Sequence, residues 1–151
     1  MEHPDYAYSS TRGQYYATRI LRELRGRKPK DALKALAIVD VDLYVPQLNF
    51  VFGQADQRAG VAVISLYRLK QELYGIEPDE RLFRERAIKE AVHELGHTFG
   101  LGHCRDPGCV MHFSNSLADT DLKSDELCGF CRQKLEKIEG VSFQDEEQGD
   151  C

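Results

Sequence analysis

Between positions 93 and 131, three of the five histidines and four of the five cysteines of this chain form two interlocked spacings that constrain the fold more than any other feature. His93-Glu94-Leu95-Gly96-His97 is an H-E-x-x-H sequence. Residues four apart on a helix project from one face, so the two imidazoles can bind one metal ion while Glu94, about a quarter-turn round, reaches a water on that ion without ligating it. A catalytic zinc usually takes three protein ligands plus water, which leaves two histidines one short. Gly100 can adopt the left-handed conformation that ends a helix, turning the chain back so that His103 swings round to the same metal. The complete string is H-E-x-x-H-x-x-G-x-x-H, and Met111 stands eight residues beyond it. Such a layout suits metal-assisted hydrolysis of an amide. Read without a metal, the same histidines would be ordinary core or surface side chains of a helix.

The cysteines form a second constellation, Cys104-x4-Cys109 followed by Cys128-x2-Cys131, with Cys151 left over at the end. Four thiolates close a tetrahedral shell and leave no room for water, the pattern of a structural zinc. Free thiols or a redox pair are the other reading. Neighbouring residues in an extended segment point to opposite sides, so His103 and Cys104 can serve two different metals. Cys151, in an acidic terminal stretch, reads as a free thiol.

With 151 residues the chain has the length of one domain and of a sizeable core. Hydrophobic residues make up 42% and charged residues 30%, which fits neither a disordered chain nor a membrane protein; the longest uninterrupted apolar run is Ala35 to Val39. The start, Met1-Glu2-His3-Pro4-Asp5, lacks the basic and apolar regions of a secretory signal, so a cytoplasmic location is expected, and there two close cysteine pairs suggest zinc before disulfides. A net charge of −5 argues against nucleic acid as the main partner.

The periodicities predict a helix from Ser9 to about Leu24, with Ser9 or Ser10 as N-cap, closed by a solvated basic turn over Arg22 to Lys30. Strands are expected over Leu36 to Val45, Leu48 to Phe52 and Gly60 to Leu66. Asp40 and Asp42 alternate on the first of these and read as solvent-facing rather than metal-binding carboxylates. Leu82, Phe83, Ala87, Ile88, Ala91, Val92, Leu95 and Phe99 mark a long helix after Pro78 that carries the motif, and Leu127 to Ile138 a short one. The expected organisation is a single domain over residues 1–140, with a sheet-and-helix part to residue 100 and a metal-bound part over 101–140, then an acidic mobile tail over 141–151.

The string from His93 through His103-Cys104, Cys109, Met111 and Cys128-x-x-Cys131 resembles the archaemetzincin family of metzincin-like zinc metallopeptidases. Gly13-Gln14-Tyr15, Asp40 to Tyr44, Leu48 to Gly53 and Phe113 to Ser116 add weaker likeness. The resemblance implies an α/β (α+β), zincin-like fold: a twisted mixed sheet packed on helices, an active-site helix at a cleft, and a small C-terminal part holding a second zinc. It also implies a monomeric peptidase with two zinc ions per chain, acting on a peptide or protein, with neither nucleic acid nor membrane as partner. His93, His97 and His103 would hold the catalytic zinc, Glu94 would be the general base, Cys104, Cys109, Cys128 and Cys131 would hold the structural zinc, and Met111 and Gly100 would support the site. A weakly active or inactive two-zinc peptide-binding protein, or a hydrolase of small amides, are the rival functions. Members of that family generally carry a further strand–helix–strand segment before the region matching Tyr8 to Arg19; a truncated or misassigned start would account for its absence, and a naturally short chain would have a sheet with fewer strands.

Overall fold

A strand covered on both faces must be apolar, and Val61-Ala62-Val63-Ile64 meets that demand: every residue of this strand, β6 (Val61–Ser65), is buried in the computed structural model, which describes residues 2–140, and the one polar member, Ser65, donates its hydroxyl to Val41 O. β3 (Ala35–Val39) runs parallel to it, with Ala35 opposite Val61 and Val39 opposite Ser65. β5 (Gly53–Asp56) pairs antiparallel on its other side, with Gly53 opposite Ile64 and Gln54 opposite Val63. The order β3-β6-β5 therefore puts β6 at the centre and leaves β5 as an edge.

Helix α1 (Ala17–Arg27) covers one face of this sheet, burying Ile20, Leu21 and Leu24 against Ala37, Val39, Val61 and Val63. Helix α2 (Glu80–Thr98) crosses the opposite face, which Ile64 and Gly53 share, and brings Glu94 against Gly53. Asp79 caps α2, its side chain accepting from Leu82 N at 3.0 Å. A second small sheet joins β1 (Tyr8–Ser9), β2 (Gln14–Tyr16) and β4 (Leu43–Tyr44), antiparallel then parallel. After α2 the chain builds a separate cluster of Leu101, Cys109, Val110, Met111 and Cys131, flanked by α3 (Leu117–Leu122) and α4 (Gly129–Glu139).

Several sequence expectations are corrected. The first helix starts at Ala17, because residues 8–16 pair as β1 and β2, and neither Ser9 nor Ser10 caps it. Arg22 to Arg27 continue the helix instead of turning; the helix stops at Lys28, whose extended backbone is what a following proline imposes. The run Leu36 to Val45 divides between two sheets, since Asp42 is drawn aside into a paired contact with Arg68 at 2.6 and 2.8 Å, and Asp40 pairs with Lys70. Leu48 to Phe52 is not a strand; only Val51 bridges, to Leu43. The strand lies just beyond it, as β5. The acidic stretch over 141–151 and Cys151 lie outside the described residues.

Candidate active site

His93 and His97 stand one turn apart on α2, and the helix ends where needed to add a third imidazole. Gly100 has φ 101°, a conformation that favours glycine, while Gly100 N and Leu101 N close the last turn onto His97 O and Gly96 O. The chain then reverses and presents His103. One donor atom from each of the three rings lies within 4.8 Å of the others.

The hydrogen bonds around the rings decide which nitrogens are free. His93 Nδ1 donates to Val110 O and His97 Nδ1 to Leu101 O, both at 2.7 Å, so each Nε2 keeps its lone pair. These two Nε2 atoms face each other at 3.1 Å. Two lone pairs at that distance repel unless a cation lies between them, and two nitrogens on one tetrahedral zinc would stand about 3.3 Å apart. Burial, assisted by the ammonium of Lys123, pushes His93 down to about 3, and burial also lowers His97 and His103. Neutral imidazoles are the form that binds metal, so the donor set fits a zinc ion.

Glu94 is buried beside them, 6% exposed, and burial followed by the nearby Glu90 pushes its carboxyl well above the usual range. Its place depends on Gly53 of β5: a Cβ there would lie 2.8 Å from Glu94 Cγ and 2.5 Å from Val63 O. Gly96 does the same for Met111, since a Cβ on Gly96 would come within 2.5 Å of the Met111 sulfur. Met111 is fully buried under the histidine-bearing turn, and its carbonyl accepts from Cys104 N at 2.9 Å. The cleft above has a volume of about 260 Å³ and is bordered by Phe50, Gly53, Ala55, His103 and Phe113. Ser114 Oγ also borders it, buried and without a hydrogen-bond partner among the described residues.

The four cysteines gather on the far side of His103, their sulfurs all within 4.8 Å of one another. Cys104 and Cys128 sulfurs are 3.8 Å apart, close to the separation of about 3.8 Å expected for two thiolates on one tetrahedral zinc. Met111 N and Cys128 N donate to Cys109 Sγ, and Cys131 N donates to Cys128 Sγ, contacts that favour thiolate sulfur. None of the four is in a disulfide. The donor set thus also fits a zinc ion. His112, adjacent to Met111, donates from Nδ1 to Cys104 O at 2.8 Å and so braces the cysteine loop.

The sequence reading missed a buried ion pair behind the cleft. Lys123 is fully buried and reaches Glu90 Oε1 at 3.2 Å and His112 O at 3.3 Å, while Thr120 Oγ1 donates to Glu90 Oε1 at 3.0 Å. Arg86, one turn earlier on α2, is likewise buried and pairs with Asp121 at 2.7 Å. A signal for these did exist: Arg86, Glu90, His93, Glu94 and Thr98 form a polar stripe at helical spacing, and all are buried. Lys123 had none, because its burial depends on α3, which shows no periodicity.

The model of peptidase family M54 matches residues 1–137 of the chain. An archaemetzincin of Pyrococcus horikoshii is 54% identical over 133 residues, covering 87% of this chain and 71% of the relative. Among solved structures, a zinc-dependent peptidase from Methanocorpusculum labreanum superposes with a TM-score of 0.83 at 37% identity, covering 88% of this chain and 80% of the other. An archaemetzincin from Methanopyrus kandleri superposes with a TM-score of 0.82 at 46% identity, covering 91% and 73%.

Proposed function

The chain belongs to peptidase family M54, the archaemetzincins, and is a zinc metallopeptidase; from that premise we propose that His93, His97 and His103 hold its catalytic zinc, that Glu94 is the general base, and that the four cysteines hold a second, structural zinc. The observation that carries the first assignment is the pair of Nε2 lone pairs facing each other at 3.1 Å with both Nδ1 atoms committed to carbonyls. Zinc bound there would polarise a peptide carbonyl and supply a water able to react at neutral pH. Glu94, lodged between Gly53 and the histidines, would be the group that accepts a proton from that water and passes it to the departing amine. Phe113, its ring 5.1 Å from that of His103, excludes bulk water from one side, and the unpartnered Ser114 hydroxyl is free to donate to a substrate carbonyl.

The edge of β5 suits the peptide backbone. Phe52 O accepts from Ser65 N across the register, so by alternation Gly53 and Ala55 turn their own N–H and C=O away from β6, towards the cleft. An extended substrate can pair there as an added strand. Neither of the neighbouring segments offers such an edge: Leu48 to Phe52 is not a strand, and Gly60 to Leu66, as β6, is paired on both sides.

Digestion of a peptide library by the wild type and by Glu94→Gln tests the assignment. Both proteins should contain two zinc ions per chain, and cleavage should fall by roughly 10² to 10⁴ in the variant. Undiminished turnover by Glu94→Gln removes Glu94 as the base, and a single zinc that survives replacement of the cysteines removes the structural site.

A further inference from the structure

α1 and β5 meet along a second groove of about 490 Å³, on the face of the sheet opposite the histidines. Thr18 Oγ1 donates to Gln54 Oε1 at 2.9 Å and holds the helix against the edge strand. Arg22 and Arg25 follow Thr18 at four and seven residues, hence on the same side of α1, and Arg58 enters from the turn between β5 and β6. All three guanidinium groups are exposed, and none has a hydrogen bond or ion pair among the described residues. The one carboxylate bordering the groove, Asp56, is occupied by its own turn, where it accepts from Ala59 N at 3.0 Å. A chain of net charge −5 thus concentrates three unpaired arginines beside the free edge of its sheet.

Gln54 and Ala55 border both this groove and the cleft, so the two are continuous across β5. A peptide paired along β5 sends successive side chains to opposite faces of the sheet. Those on one face meet the histidines and Glu94. Those on the other meet Arg22, Arg25 and Arg58. We propose that these three arginines are specificity-determining residues, and that the substrates are peptides with acidic side chains at alternate positions, on the face turned away from the scissile bond. The inference rests on the peptidase reading and on β5 as the substrate strand.

Binding to zinc-loaded Glu94→Gln protein separates the two ideas, because it needs no turnover. The probes are fluorescent ten-residue peptides in matched pairs, Glu or Gln at alternate positions and otherwise identical, with both alternations sampled, read by anisotropy at low salt. One alternation should bind roughly fivefold more tightly as Glu than as Gln, about what two exposed ion pairs supply. The preference should vanish in Arg22→Ala/Arg25→Ala/Arg58→Ala and turn towards Lys in Arg22→Glu/Arg25→Glu. Equal binding of the paired peptides, no binding of either, or a preference that survives the triple substitution overturns the proposal. Cleavage by the wild type without acidic preference sinks this inference and leaves the peptidase intact. Acid-selective binding of peptides that are never cut does the reverse.

Discussion

The two donor clusters of this chain share a boundary, His103-Cys104, yet they are built on opposite plans. The histidine cluster rests on a 19-residue helix packed on a sheet, with two of its rings aligned by carbonyls and all three pushed by burial towards the neutral form. Its shape is set by the helix and the sheet beneath it. The cysteine cluster is gathered from two loops and the start of α4, and its apolar company is small: Leu101, Val110, Met111 and a few half-buried neighbours. With so little core of its own, this cluster would owe its cohesion to the proposed structural zinc, as small metal-bound domains do. One site is a scaffold's product and the other is part of the scaffold.

The largest test of that contrast is to empty each cluster in turn. Cys109→Ser/Cys131→Ser removes two buried ligands, 1% and 4% exposed. It should forfeit most of a structural zinc's binding energy, which is on the order of 10 kcal/mol. Hydrogen exchange should then show residues 101–140 unprotected while β3, β5 and β6 stay protected. His93→Ala/His97→Ala should lose the other ion with the fold retained. Equal loss of protection in both double variants would erase the distinction.

The buried pair of Lys123 and Glu90 is the seam between the clusters, and it offers a test of intermediate size. Lys123 binds Glu90 on the histidine helix and the carbonyl of His112, which itself holds Cys104 O. Lys123→Met leaves a buried carboxylate without its counter-ion and should destabilise the protein by about 3–5 kcal/mol, measured by urea denaturation. Lys123→Met/Glu90→Leu, which removes both charges, should recover most of that loss. Failure of the second change to rescue the first would show that Lys123 acts through packing, and that no charged seam joins the regions.

This contrast also explains what the sequence disclosed. The two donor clusters were legible because helical spacing and tetrahedral closure are local rules: His93, His97, Gly100 and His103 lie within eleven residues, and each cysteine pair within six. The central strand was legible because Val61 to Ser65 has no polar face to show. β5 was not, since Gly53-Gln54-Ala55-Asp56 has neither alternation nor β-branched residues, and is a strand only because β6 offers it a partner. The tyrosine-rich start was misread as helix for the same reason: β1 and β2 owe their form to pairing with each other and with β4, a segment nearly thirty residues away. Glu90 was visible as a polar residue on a buried stripe, but its partner Lys123 came from a stretch with no pattern.

The smallest expected effect concerns protons. A histidine whose folded pKa lies below its ordinary value near 6.5 is already neutral at pH 7 and gives up no proton when metal binds. His93, His97 and His103 are all shifted in that direction, so zinc affinity at the histidines should stay nearly flat as the pH falls from 8 to 7. Burial moves Cys109 and Cys131 the other way, above the ordinary thiol range, so both are protonated at neutral pH without metal and must be deprotonated to bind it. Affinity at the cysteines should therefore fall steadily over the same interval, by roughly one power of ten per pH unit for each such thiol. Competition with a chromophoric chelator reads both slopes, using His93→Ala/His97→Ala for the cysteine site and zinc re-addition to protein with its cysteine site filled for the other. Equal slopes would mean that the histidines are not held neutral by their surroundings, and the contrast between a finished site and a metal-made one would lose its electrostatic basis.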